Sequence, residues 1–213
     1  MPRGYPIVLD VTQRLAVIVG GGAVAARKAA ALIDAGATCI RVVAPNITGD
    51  FDARIDRIHR PYTPEHLEGA ALVFAATDDT AVNDAVVRDA QSRGMLVNRA
   101  DGHDADNGPG GDFVTPARLR DDDVTVAITA GSAALSAYIR DRVADRWDAR
   151  WSLMARAMRS LRREILAIGS AEQRRAIFHT LASDEAIELL AREGESALRR
   201  WINQKFPALR ETA

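Results

Sequence analysis

Between Val17 and Ala37 the chain reads VIVGGGAVAARKAAALIDAGA: an apolar run, three glycines, an alanine-rich segment and a further glycine. Few backbones accommodate that order. An apolar run that ends in glycine reads as a buried strand entering a tight turn, and the alanines after it favour a helix able to sit close to a sheet. Gly20, Gly22 and Ala25 fit the spacing G-x-G-x-x-A. The first glycine makes the turn, the second admits a pyrophosphate to the backbone, and the small third residue lets helix pack on strand. The helix N-terminus then offers unpaired N–H groups to phosphates. No Gly-Lys-Ser or Gly-Lys-Thr follows, as a P-loop would require.

The alternation continues. LAVIVG, CIRVVAP, ALVFAAT and MLVNRA read as strands, with helices over AVAARKAAALIDAG and from Thr80 to Arg93 between them. Continuous apolar strands linked by helices predict an α/β fold with a Rossmann-type parallel sheet covered on both faces. Gly36 and Gly94 each follow a helical stretch, where a left-handed residue closes the last turn. The polar stretch DGHDADNGPGGD has no periodicity and reads as a loop; FVTPARLR and VTVAIT then flank the acidic turn Asp121 to Asp123 as a hairpin. From Ala133 the period changes. Leu135, Ile139 and Val143, then Leu153, Met154, Ala157, Met158, Leu161, Ile165 and Leu166, recur at spacings of three and four, which predicts amphipathic helices with a core or subunit-interface stripe. Ser170 with Gln173 looks like a capping box, and Gly194 separates two more helical segments. The expected division is a nucleotide-binding domain at 1–115, a small region at 116–150 and a helical C-terminal module at 151–213.

Charge narrows the partners. With 28 basic and 29 acidic side chains the chain has no global field to attract nucleic acid or an anionic membrane. No apolar run approaches the roughly 20 residues of a membrane span, and MPRGYPIVLDVTQR lacks a secretory apolar core, so a soluble cytoplasmic protein is expected. Cys39 alone forms no disulfide framework or cysteine-rich metal site, and is expected to be a small buried residue in a strand.

Ligands of open parallel sheets lie beyond the carboxyl ends of the strands. The second strand ends Val43, Ala44, Pro45, Asn46, without the acid that usually binds the ribose of NAD and without an arginine for the 2′-phosphate of NADP. Asn46 can donate and accept in the acid's place, and the residues alone leave the cofactor open. Thr77 and Asp78 end the next strand, either capping a helix or meeting a cofactor. Asp101 ends the last one, where a carboxylate can accept a proton or assist a metal ion, or simply sit in a solvated turn. His59, His66 and His179 read as solvated or packed; His103 with Asp104 and Asp106 forms a polar cluster whose spacing matches no metal motif.

YPIVLDVTQRLAVIVGGGAVAARKAAALIDAGA, VFAATDDTAVN, LVNRAD and VTVAITAGSAALSAYIRDRV together resemble the precorrin-2 dehydrogenases and the N-terminal domains of sirohaem synthases, over roughly residues 5–145, and the helical tail is similar to that family's C-terminal module. The resemblance implies an NAD-binding Rossmann domain, a dimerisation region at 116–150 that interlocks a homodimer, and a helical domain. It also implies NAD-dependent oxidation of precorrin-2 to sirohydrochlorin, joined in some members by insertion of ferrous iron. By position, Gly20, Gly22, Ala23 and Val24 would line the pyrophosphate and adenosine; Ala44, Pro45 and Asn46 would meet the ribose, so the missing acid is compatible with NAD. Thr77 and Asp78 would flank the nicotinamide, and Asp101 falls on the family's functionally important aspartate, as general base or metal assistant. Ser132 and Arg118 are the substrate candidates, with Arg99, Arg120 and Arg140 as further arginines for a carboxylate-rich macrocycle. The loop after Asp101 is longer than the family's, and the turn at Ser132 is shorter, with Ala130 where a hydroxyl residue is common. Two other classes remain: a nucleotide-sensing Rossmann module, which normally keeps the ribose acid, and a chelatase without hydride transfer.

Overall fold

The computed structural model describes residues 4–101 and 110–210. The chain divides into two compact units, 1–115 and 116–213. In the first, β1 (Leu15–Val19), β2 (Ile40–Val43), β3 (Asp56–Ile58), β4 (Ala70–Ala75) and β5 (Leu96–Arg99) form one parallel sheet in the order β3-β2-β1-β4-β5. Helices α1 (Ala23–Asp34) and α2 (Thr80–Ser92) cover it. Alternate residues of a strand face opposite ways, so each strand feeds two cores. Ile18, Val42, Leu72 and Phe74 pack with Ala25, Ala29 and Leu32 of α1, while Val17, Val43, Val73 and Val97 pack with Val86, Val87 and Ala90 of α2. Both faces are therefore buried, which is why the strands read as unbroken apolar runs.

Strand β3 falls where the sequence shows no apolar run. Asp56 and Arg57 are exposed, and Asp56 Oδ2 takes a hydrogen bond from Arg41 Nε of β2 at 3.1 Å. A short charged strand suits a sheet edge, where it discourages pairing with another chain. Cys39 also departs from expectation: β2 begins one residue later, and the Cys39 side chain is exposed although its carbonyl accepts from Ala16 N–H at 3.0 Å.

The strand order reverses between β1 and β4, so the carboxyl ends of those two strands border the crevice of a doubly wound sheet. Two glycines make that edge possible. Gly20 has φ 135°, and a Cβ there would lie 2.2 Å from Ala76 O; one on Gly21 would lie 2.1 Å from Asn46 O. Thr48 and Gly49 N–H both donate to Gly21 O, at 2.9 and 2.8 Å, and clamp the segment after β2 onto the turn. Gly22 differs, since a Cβ on it would meet nothing within 4 Å. Gly36 and Gly94 close α1 and α2 with φ 91° and 68°.

In the second unit β6 (Ala117–Asp121) and β7 (Val124–Ile128) form an antiparallel hairpin, turned by Asp122 in the left-handed region at φ 52°. Helices α3 (Ala133–Ala144), α4 (Arg150–Ala167), α5 (Ala171–Leu181), α6 (Asp184–Glu193) and α7 (Glu195–Lys205) follow. Met154, Ala157, Leu161 and Ile165 of α4 meet Ile177, Leu181, Leu190, Leu198 and Ile202 in one core, whereas Leu166 is 51% exposed. Ser170 Oγ accepts from Gln173 N–H at the start of α5. The acidic hairpin turn is a fastening. Asp121 Oδ2 accepts from Trp147 Nε1 (2.8 Å) and Ser152 Oγ (2.6 Å), while Asp122 and Asp123 pair with Arg156 (2.9 Å) and Arg159 (2.7 Å) of α4.

The glycine contacts predict unequal effects. Gly21→Ala forces backbone apart and is expected to destabilise by about 1–3 kcal/mol, whereas Gly22→Ala, at φ −92° with open space around it, stays within about 1 kcal/mol of the parent. Urea unfolding midpoints of the two variants check this.

Candidate functional site

Along the carboxyl edge of the sheet the turn after β1, the segment after β2, the turn after β4 and the end of β5 lie side by side. Gly20 N–H donates to Val43 O (2.9 Å), Ala76 N–H to Val19 O (2.8 Å) and Ala100 N–H to Ala75 O (2.9 Å), so the ladder runs past the strands and fixes their ends. Gly20, Gly22, Ala23, Val24, Ala44, Pro45, Asn46, Thr77, Asp78 and Asp101 all fall on these segments. Arg118 and Ser132 belong to the second unit. Arg118 stands in β6 opposite Ala127, and Ser132 caps α3, its Oγ accepting from Leu135 N–H at 3.1 Å. Buried Ser136 donates from Oγ to Ser132 O (2.8 Å) and accepts from Ala130 N–H (2.9 Å), which braces that turn. His103, Asp104 and Asp106 lie outside the described residues.

The N-terminus of α1 suits an anion. Its cap is Gly22, no side chain takes its first N–H groups, and its first turn holds no acid. Four N–H groups at a helix start have no partner within the helix. At α2 the same need is met internally: Asp79 Oδ1 accepts from Ala81 N–H (2.8 Å) and Val82 N–H (3.2 Å). The cap of α2 is thus Asp79, and neither Thr77 nor Asp78 fills that role. Asp78 is exposed, as are Ala23, Val24, Pro45 and Asn46, while Ala44 is buried.

Asp101 is held by a network that periodicity alone did not reveal. Arg99 Nε donates to Asp101 Oδ1 (2.7 Å) and Nη2 to Oδ2 (3.1 Å), while Nη1 pairs with Asp84 Oδ1 of α2. Asn83, fully buried on α2, donates from Nδ2 to Asp101 Oδ2 (2.9 Å) and to Thr77 O (3.0 Å), and its Oδ1 accepts from Thr77 N–H (3.1 Å). Thr77 and Asp101 are thereby joined through one neutral amide. Burial pushes the Asp101 carboxyl up, but the hydrogen bonds from Arg99 and Asn83 outweigh it and hold the group below the usual carboxylate range. The side chain keeps 28% exposure. Arg99, one of the further arginine candidates, has its guanidinium held by two carboxylates, Asp84 and Asp101. Arg140 is paired with the adjacent Asp141 (2.6 Å), and Arg120 Nε reaches Asp122 O at 3.4 Å.

One further segment supports β5. Asp112 N–H donates to Val97 O (2.7 Å), Val97 N–H to Asp112 Oδ2 (3.0 Å), and Asn98 Nδ2 to Phe113 O (2.8 Å). Gly111 is needed there, since a Cβ on it would lie 2.8 Å from Arg99 N. The chain after residue 109 therefore returns along the outer edge of β5.

Residues 7–117 match the family model NAD_binding_7, described as "Putative NAD(P)-binding". The chain belongs to this NAD(P)-binding family. Similar proteins extend the likeness. The chain is 32% identical to the siroheme synthase of Chromobacterium violaceum over 96% of its own length and 44% of that protein's, and 37% identical to the siroheme synthase of Nitrosomonas eutropha over 65% and 30%. It spans less than half the length of these relatives. Among solved structures, SirC, a precorrin-2 dehydrogenase, superposes with a TM-score of 0.74 at 22% identity, over 94% of this chain and all of that one, so the two share a fold. Among the described residues no helix is long and apolar enough to cross a membrane.

The Asn83 amide gives a direct stability test. Asn83→Ala strips partners from the Thr77 backbone and from Asp101 in a buried setting, and is expected to cost about 1–3 kcal/mol, measured by urea unfolding.

Proposed function

We propose that the protein is an NAD-dependent precorrin-2 dehydrogenase that yields sirohydrochlorin. The single observation that carries this is the joint placement, on one sheet edge, of an uncapped glycine-rich helix start and an ionised carboxylate, Asp101. The relatives' names supply the substrate. The first suits a dinucleotide: the glycines bring backbone N–H groups close, and Gly22 leaves open space beside the uncapped helix start. Gly20, Gly22, Ala23 and Val24 would hold the pyrophosphate and adenosine, and Ala44, Pro45 and the exposed amide of Asn46 the ribose. Thr77 and Asp78 would border the nicotinamide, whose bound form supplies a hydride acceptor.

Removal of two hydrogens takes a hydride from one carbon and a proton from the macrocycle. Hydride loss leaves the ring system positive. Asp101, ionised and oriented, stabilises that charge and is placed to receive the proton. Arg118 and Ser132 are the substrate candidates of the second unit. We also infer a cytoplasmic homodimer formed through 116–150: β6 and β7 pair only with each other among the described residues, and α3 leaves Leu135 47% and Tyr138 62% exposed. Sedimentation of the parent and of Tyr138→Asp checks this, with a dimer expected for the first and monomer for the second.

Incubating the protein with precorrin-2 and NAD should raise sirohydrochlorin absorbance. Asp101→Asn is expected to lower kcat by roughly 10²–10³-fold, and Gly22→Val to weaken NAD, by calorimetry, roughly tenfold or more. NAD binding without turnover would instead favour a nucleotide-sensing module. Ferrous iron supplied with sirohydrochlorin tests iron insertion, and sirohaem formed without any NAD-dependent step would leave a chelatase alone.

A further inference from the structure

Arg99 is a buried charged side chain that neither dinucleotide binding nor substrate recognition uses. Only 4% of its side chain is exposed, yet it stands between Asp84 and Asp101. Its contact with Asp101 is two-pronged, Nε to Oδ1 and Nη2 to Oδ2, a geometry that a planar guanidinium provides and an ammonium does not. Asp84 engages the remaining Nη1 and so fixes the guanidinium from the helix side. With the Asn83 bond, three of the roughly four acceptor directions of the Asp101 carboxylate are taken.

Resting on the dehydrogenase function proposed above, we propose that Arg99, anchored by Asp84, is a positioning residue that orients Asp101 and keeps it a fixed anion until hydride has left the macrocycle. The charged groups around that carboxylate are few among the described residues. Arg99 faces it from β5, and Asp84 acts from α2 through the shared guanidinium. In the turn after β4, Asp78 is exposed and Asp79 is directed to its own helix N–H groups. The Asp101 carboxyl lies below its usual range, so its ionised form persists above that lowered value and is lost only as pH falls through it. Removing Arg99 moves this point up. Removing the Asp84 charge does not, because that charge opposes ionisation of its neighbour.

The opposite signs separate positioning from simple support of the fold. Carbon-13 NMR titration of the Asp101 carboxyl, assigned with Asp101→Asn, is recorded for the parent, Arg99→Gln, Arg99→Lys and Asp84→Asn, alongside the pH profile of kcat/KM with precorrin-2 and NAD. Arg99→Gln should raise the Asp101 midpoint by about one pH unit or more, with the acid limb of kcat/KM rising in step, while Asp84→Asn leaves the midpoint no higher than in the parent. An unchanged midpoint in folded Arg99→Gln overturns the proposal. If Arg99→Gln does not fold, a raised midpoint in Arg99→Lys but not in Asp84→Asn supports it, and an unchanged one in Arg99→Lys overturns it. A parent that never oxidises precorrin-2 removes the dehydrogenase function, yet the titration still reports on Arg99; an active parent with a flat titration removes only the role of Arg99.

Discussion

Backbone meets backbone at the carboxyl edge of the parallel sheet, and no side chain fits at Gly20 or Gly21 between the turn, Ala76 and Asn46. The glycine-rich half of the candidate site follows from that approach. It draws the end of β1 against β4 and the segment after β2 over the turn, so that α1 begins directly at the crevice where strand order reverses. A bulkier turn would splay these ends and withdraw the helix start from β4. The same closeness leaves Gly22 facing open space, so neighbouring glycines do different work: two permit contact within the protein, and one leaves room beside it.

A second constraint lies at β5. A guanidinium buried in a sheet face without partners carries a desolvation penalty of several kcal/mol, so Arg99 binds the fold to its carboxylates. Asp101 is therefore both counter-ion and candidate site residue. Removal of either carboxylate leaves Arg99 short of a partner, and loss of Asp101 disturbs stability as well as chemistry. Asp79 offers a contrast on the same edge, since its carboxylate is engaged with the N–H groups of α2 and is not presented to a ligand.

Much of this architecture was legible because burial on both faces leaves a plain trace: four strands as apolar runs, helices between them, glycine at the tight turn and a hairpin around Asp121 to Asp123. Strand β3 was hidden because an exposed edge strand of three residues with charged side chains has no hydrophobic signature. The cap of α2 falls one residue past Asp78 and two past Thr77, the candidates the sequence offered, since Thr77, Asp78 and Asp79 are all competent caps and only backbone geometry chooses. Asn83 carried a signal that went unused. It occupies the buried stripe of α2 with Val86, Val87 and Ala90, and a polar residue on such a stripe must have partners. Arg99 and Asp112 are different in kind, because their partners depend on chain segments brought together only by the fold.

A carboxylate held below its usual range is a poor general base by the ordinary criterion, which favours a pKa near the working pH. The proposed oxidation relaxes that criterion. Once hydride has left, the macrocycle is cationic and its remaining proton is strongly acidic, so even a weak base accepts it. The demanding step comes earlier, as positive charge develops on the ring. An oriented anion acts there without reorganisation, and its effect is largest where water is sparse. Strengthening Asp101 as a base by freeing it from Arg99 would therefore exchange a fixed charge for a movable one, and the barrier that matters would rise.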